Sequence, residues 1–459
     1  MTPSLRPSRA AFFLAAAAMV ALFAPAPGCS FDRHRSDLKS AFASGRFDLA
    51  AQELDKPEVI RLYGSRNRIL YELDRGAVAF AQQDFDKTIE VLNQAEDRIE
   101  LIREKTAADT LGQWAINDTT ATYIAEPYED MYINVLKLMA QLGAGRLSGG
   151  ATVEARRLGS KADRLRDTYL KYKDQVQQEA DSKLKGRAGS YGGLVATNDD
   201  GNFIESPLGT FLAAVTFMKT GNPDLQGVAA RRLVESIRLQ SSIIGPVIPD
   251  RFADLESRPA SSANALFIAL SGRGPTKYAD RIGPILIATV PIYFELPRLA
   301  TTLSQVASAS VEIESPSGIT SQPLDFIEDF AAVATENHRR TLPLIYTRTL
   351  IRAALKSTLS ATATEVARRN ASDRDSGWVQ VVGALAGLAY VMTTERADLR
   401  CWVFLPGQAR VALLKLPPGP SRARMVFRSA SGGVVYTSEW SPLSITEDGL
   451  ATLIAQYWN

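Results

Sequence analysis

The sequence predicts an α+β protein, mainly helical, in which a TPR-like domain of helix pairs is followed by a mixed domain with a small antiparallel β unit. Three observations carry this. A turn–aromatic–small pattern recurs between residues 45 and 155. After Leu239 the apolar runs become β-branched and are bounded by Gly and Pro. From residue 401 onward short runs alternate with Pro–Gly turns. At 459 residues the chain is too long for one ordinary domain. The expected divisions are 1–28, a signal peptide, 29–240, the helical domain, and 241–459, the mixed α/β domain with its C-terminal β unit.

The N-terminal segment reads as an export signal. Arg6 and Arg9 give a positive n-region, and Ala11–Phe23 is an apolar run of signal-peptide length, short for a membrane span. Ala26-Pro27-Gly28-Cys29 follows. It resembles the bacterial lipobox, in which small residues precede a cysteine that is acylated and becomes the mature N-terminus. Ala26, where the pattern prefers leucine, and Pro27 depart from it. Lipidation at Cys29 is the expectation, against plain secretion with a spare thiol. Acyl chains contribute about 0.8 kcal/mol per buried CH₂, and more than one chain anchors stably. Ser30 stands where an aspartate can signal inner-membrane retention, so the outer membrane is favoured over the inner membrane. An acylated Cys29 leaves Cys401 without a disulfide partner.

Residues 36–240 read as helix pairs. The repeated segments are Gly45-Arg46-Phe47-Asp48-Leu49-Ala50, Gln83-Asp84-Phe85-Asp86-Lys87-Thr88 and Gly150-Ala151-Thr152-Val153-Glu154-Ala155, the last lacking its aromatic. In a TPR the aromatic packs between helices and the small residue lets them approach. Gly76 and Leu92 fall where the second repeat wants them, and a fourth pair turns at Gly221-Asn222-Pro223-Asp224. Residues 105–127 look irregular, and Gly186–Gly201 is a polar, Gly-rich surface loop.

In the mixed half, Ile285–Phe294 and Val311–Glu314 look like strands, followed by a long helix from Leu342 to Arg369. Gly377–Thr393 is apolar but short and carries Gln380, the pattern of a buried helix more than of a membrane span. Strands follow at Cys401–Phe404, Arg410–Leu416, Arg424–Phe427 and Val434–Thr437, with turns at Pro417–Pro420 and Gly432-Gly433 and a closing helix at Leu450–Tyr457.

Composition excludes several classes. A net charge of +2 supplies no field for nucleic acid, and no nucleic-acid motif is present. Two cysteines and two histidines, scattered at Cys29, Cys401, His34 and His338, argue against a metal site. Gly272-Arg273-Gly274-Pro275-Thr276-Lys277 lacks the full phosphate-loop spacing and reads as a turn before a strand. His338, between Glu336 and Arg339-Arg340, reads as a solvated helix end. Glu154 and Arg157, three apart on a helix, form an ordinary ion pair.

Four blocks together resemble one uncharacterised family of bacterial TPR-like envelope lipoproteins. They are Val153-Glu154-Ala155-Arg156-Arg157, the 272–277 segment leading to Val290-Pro291-Ile292, Leu342-Pro343 with Arg348, Arg352 and Lys356, and Ala397-Asp398-Leu399-Arg400-Cys401-Trp402 with Leu405-Pro406, Arg410 and Pro418-Gly419. The resemblance implies an envelope lipoprotein and supplies no activity, so no catalytic residue and no cofactor follow from it. Arg348, Arg352 and Lys356, spaced by four, share a helix face. This basic stripe either meets anionic lipid, wall polymer or an acidic partner, or pairs with acids such as Asp325, Glu328 or Asp398. The expected function is a non-enzymatic, membrane-anchored scaffold that binds an envelope protein or peptide on its stacked helix pairs. The alternative is an envelope-polymer hydrolase or transferase using loop carboxylates such as Glu205 or Asp250.

Overall fold

The computed structural model describes residues 28–106, 122–183, 203–246, 250–287, 290–316, 318–370 and 397–459. Helix and sheet are mixed, so the α+β class holds. The first half supplies nine α-helices among the described residues: α1 Gly28–Ala43, α2 Phe47–Leu54, α3 Pro57–Tyr63, α4 Arg68–Ala81, α5 Phe85–Thr106, α6 Pro127–Gly143, α7 Thr152–Lys183, α8 Pro207–Lys219 and α9 Pro223–Ile244.

Four hairpins, α1/α2, α4/α5, α6/α7 and α8/α9, turn by one motif. A residue in the left-handed region stands at each turn: Gly45 (φ 69°), Gln83 (61°), Gly145 (71°) and Gly221 (70°). Its N–H bonds the carbonyl three residues back, and the next N–H bonds the carbonyl five back, as in Arg46 to Ala41, Asp84 to Ala79, Arg146 to Gln141 and Asn222 to Phe217. This Schellman closure satisfies the last helical carbonyls and demands positive φ. The third turn is Gly145-Arg146-Leu147, five residues before the Gly150-Ala151-Thr152 that the sequence pattern suggests. Leu147 takes the aromatic's place, and Gly150 is the small residue, with Gln141 where its Cβ would be. At Gly76 a Cβ would stand 2.5 Å from the Leu92 side chain, so α4 and α5 approach closely.

The second half builds a sheet around β1. Its strands are β1 Ala265–Arg273, β2 Thr276–Ile287, β3 Val290–Ala300, β4 Ser308–Ser315, β5 Gly318–Asp329, β6 Pro406–Leu414, β7 Gly419–Arg428, β8 Val434–Thr437, β9 Ser441–Ile445 and β10 Ala451–Tyr457. The order β10-β1-β6-β5-β4-β7-β8, with β9 on β7, curls as a half-barrel. β10 runs parallel to β1; the other pairs are antiparallel. β2 and β3 form a separate ribbon packed on helix α10, Phe330–Asn370.

Burial explains the topology. Ala265, Phe267 and Ala269 face an inner cluster with Val311, Met425 and Phe427. Leu266, Ile268 and Leu270, on the other face of β1, join the helices in a cluster running from Leu38 to Trp458. The two halves therefore share a core across residue 240. Gln240 adds a polar tie, donating to the Ile327 carbonyl and accepting from the Asp329 N–H.

Several expectations are corrected. Leu450–Tyr457 is not a helix but strand β10, because its Leu453 and Ala455 face the inner cluster while Ile454 faces the helices. Ile285–Phe294 is not one strand: Ile285–Ile287 ends β2 and Val290–Phe294 begins β3, and the two pair antiparallel. Cys401–Phe404 forms no strand and leads into β6. The long helix starts at Phe330 and carries Pro343 inside it. Strands β1, β5 and β9 arise where none was expected. The expectations for 186–201 and 377–393, and most of 105–127, lie outside the described residues. No described helix is long and apolar enough to cross a membrane.

Candidate functional site

Helix α6 is the axis of the molecule: every residue from Pro127 to Leu142 is buried. A helix enclosed on all sides is ordinarily apolar throughout, yet this one carries Glu129, Asp130, Asn134, Lys137 and Gln141. Buried ionisable groups must be paired and hydrogen-bonded, or their desolvation is prohibitive. The partners of these side chains, together with those of Glu126 just before the helix and of Tyr132 within it, form three polar nodes.

The first lies at the start of α6. Glu126 and Glu129 form a reciprocal cap on the helix N-terminus. Glu129 also accepts from Tyr123 Oη at 2.6 Å and from the Trp402 backbone N–H at 2.6 Å. Glu126 binds Lys277 of β2, and His338 Nδ1 lies 3.7 Å from it. The His338 Nε2 is 2.9 Å from the Pro297 carbonyl. Burial opposes the charge on Glu126, but Lys277 and His338 hold its carboxyl well below the usual range. Burial likewise opposes the charge on Lys277, and Glu126 with Glu129 more than reverses it. Beside them Arg35 donates to the Cys401 carbonyl at 2.8 Å and pairs with Asp74, which accepts from Tyr63 Oη at 2.8 Å. Burial pushes the free Cys401 thiol up.

The second node joins α5, α6 and α7. Glu96 binds Lys137 and Lys161; Lys161 also binds Asp130 at 2.7 Å, and Asp130 binds Arg103 at 2.7 Å. Lys137, with no exposed surface, reaches Glu154 at 3.1 Å, which is held too by Asn134 and Arg157. Against burial, Lys161 and Lys137 bring Glu96 down to about 2. Glu154–Arg157 is therefore part of a buried network rather than an isolated surface pair.

The third node is Glu328 of β5, fully buried. It accepts from Tyr132 Oη (2.7 Å), Ser206 Oγ (2.5 Å) and the Leu208 N–H (2.9 Å) at the N-terminus of α8. Burial pushes its carboxyl up to about 7, against these three donors.

The residues singled out from sequence are distributed as follows. Helix α1 begins at Gly28, so Cys29 stands in its first turn, while its side chain lies outside the described residues. Arg348 sits half-buried with its guanidinium 5.8 Å from the Tyr172 ring centre. Arg352 and Lys356 continue the same helix, their side chains outside the described residues. Of the acids considered for the stripe, Glu328 is held as above and Asp398 binds Arg400. Glu205 borders a small cleft of about 90 Å³ with Asp163, Phe203 and Asn337. Arg232 bridges Asp163 at 2.7 Å and Glu205 at 3.5 Å. Asp250 opens a 3₁₀ turn, Asp250–Glu256, its side chain outside the described residues. His338 is not solvated: it is 2% exposed, because β3 covers this turn of α10. Among the described residues no group of three or more His, Cys, Asp or Glu is placed to hold a metal.

Two blocks far apart in sequence, 272–277 and 397–402, meet at the first node, through Lys277 on Glu126 and through the Trp402 N–H on Glu129. Gly274 makes the meeting possible, since a Cβ would stand 2.8 Å from the Leu405 carbonyl oxygen. The signal that sequence reading missed was local: Glu126-Pro127-Tyr128-Glu129-Asp130 packs three acids into a segment leading directly to an apolar run. Compared with known proteins, the chain matches no family model, no curated protein and no solved structure.

Proposed function

We propose that this chain is a lipid-anchored envelope protein that serves as a non-enzymatic scaffold, holding a protein or peptide partner on a TPR-like array of helix pairs. The observation that carries the reading is the fourfold Schellman turn, which repeats one hairpin geometry at Gly45, Gln83, Gly145 and Gly221. Repeated helix hairpins stacked in chain order are the architecture of extended binding surfaces. The three polar nodes support the same reading. In the first two nodes charged side chains pair with one another, and in the third Tyr132, Ser206 and the Leu208 N–H hold Glu328, so all three fasten segments together. Acylation at Cys29, export and an outer-membrane address rest on Arg6, Arg9, the apolar run and Ala26-Pro27-Gly28-Cys29.

Two measurements test this. Cys29→Ala should move the protein from the membrane fraction to the soluble fraction, and the wild-type N-terminal peptide should carry acyl mass. Unchanged partition without acyl mass removes the anchor. Affinity capture of the full chain from detergent-solubilised envelope should return a stoichiometric protein partner. Turnover of wall polymer that is lost in Glu205→Gln would favour the hydrolase reading instead.

A further inference from the structure

Arg35 stands six positions after Cys29, and it is already locked into the interior by the Cys401 carbonyl and Asp74. Six residues span about 9 Å as helix and at most about 21 Å extended. An anchor at Cys29 therefore leaves no long leash, and one end of the folded body must lie against the headgroups.

Side-chain pairings identify that end. Asp48, at the start of α2, meets Gln82 just past α4, and Asp55, past the end of α2, meets Arg75. So α2 runs antiparallel to α4, and its hairpin partner α1 runs parallel to α4. With Arg35 opposite Asp74, the start of α1 lies beside the start of α4 and the 64–67 loop. At this end Arg61, Ser65 and Arg66 are exposed, and the Arg68 side chain is 37% exposed. Leu399, 43% exposed, is brought here by the bond from Arg400 to Asn67 at 2.8 Å. Of the neighbouring acids, Glu72 is held by Arg68 and Arg98 and Asp398 by Arg400, which leaves Glu58, and Asp37 further along α1, on the surface.

We propose that this end, with Arg61, Arg66 and Arg68 around Leu399, is the membrane-contacting face and recognises anionic phospholipid headgroups. The proposal rests on acylation at Cys29. Each basic residue at an anionic surface shifts the contact equilibrium about fivefold. Ser444 of β9 serves as the distant reference. It lies near Thr446, which meets Asn264 before β1, whereas Arg35 binds next to the segment that follows β1, about 30 Å of strand away.

The test uses full-length acylated protein in phosphatidylcholine vesicles, with or without phosphatidylglycerol. A fluorophore is placed at Ser65→Cys or Ser444→Cys, and the quencher is a headgroup-level nitroxide lipid. The Ser65 label should be quenched in anionic vesicles and the Ser444 label should not. Adding Arg61→Glu and Arg66→Glu should reduce the contact equilibrium by about fivefold per charge while the protein still floats with the vesicles. If wild-type protein fails to float, the anchor itself is refuted. If it floats and Ser65 is quenched no more than Ser444, this orientation is overturned. If Ser65 quenching ignores both lipid charge and the arginine variants, recognition of anionic lipid is overturned.

Discussion

Replacing Lys137 by Met probes the buried network most directly. The thioether keeps most of the stem's volume and removes the ammonium that lies 2.6 Å from Glu96 and 3.1 Å from Glu154. Removing one partner of a buried pair typically costs 3–5 kcal/mol, because the remaining charge stays desolvated (roughly the range expected here). Glu96 keeps Lys161, and Glu154 keeps Arg157 and Asn134, so the expected loss at neutral pH is near the lower end, about 3 kcal/mol. The pH dependence carries a second signature. A carboxylate brought from 4.5 to about 2 contributes about 3 kcal/mol of stability above its unfolded value, lost as pH falls through its folded value. Without Lys137 the Glu96 carboxyl rises, so the variant has less to lose in acid. Urea unfolding followed by far-UV circular dichroism should show a large deficit at neutral pH that narrows toward about pH 3. A variant within about 0.5 kcal/mol of wild type at neutral pH, or a deficit unchanged in acid, would refute the argument that the network is held by charge.

Glu328 titrates with the opposite sign. Its carboxyl is raised from 4.5 to about 7, so the native state retains a proton that the unfolded chain releases. Stability from this group is present below pH 4.5 and falls by about 3 kcal/mol as pH rises through 7; Glu328→Gln should flatten that slope in unfolding titrations. Gly76→Ala should cost about 1–3 kcal/mol by overpacking against Leu92, whereas Gly149→Ala, with nothing within 4 Å of the new methyl, should unfold close to wild type. Gln83 combines strain with a bond from its side chain to the Ile454 carbonyl. Gln83→Ala loses that bond and keeps the strain, so Gln83→Gly should be the more stable of the two by about 1 kcal/mol in a thermal melt.

What the sequence by itself determined is what short-range bonds decide. The helix hairpins end at Gly45, Gln83 and Gly221 because a Schellman closure spans only six residues, and the Pro–Gly turns around β7 and β8 are equally local. The third hairpin shows the limit, since Gly145 and Gly150 both offer the pattern and only packing against Gln141 separates their roles. Tertiary structure decided the rest. Ala265–Leu270 and Leu453–Ala455 are short apolar runs buried on both faces, without the alternation that distinguishes strand from helix. They become strands because Ala265 pairs with Ala451, a partner 186 residues away. Glu126 and Lys277 are 151 residues apart, and Glu96 finds Lys161 65 residues away. Their residue types show only that partners are required. Which partners they find depends on how α6 is enclosed, because burial raises the cost of an unpaired charge only after the chain has folded around it.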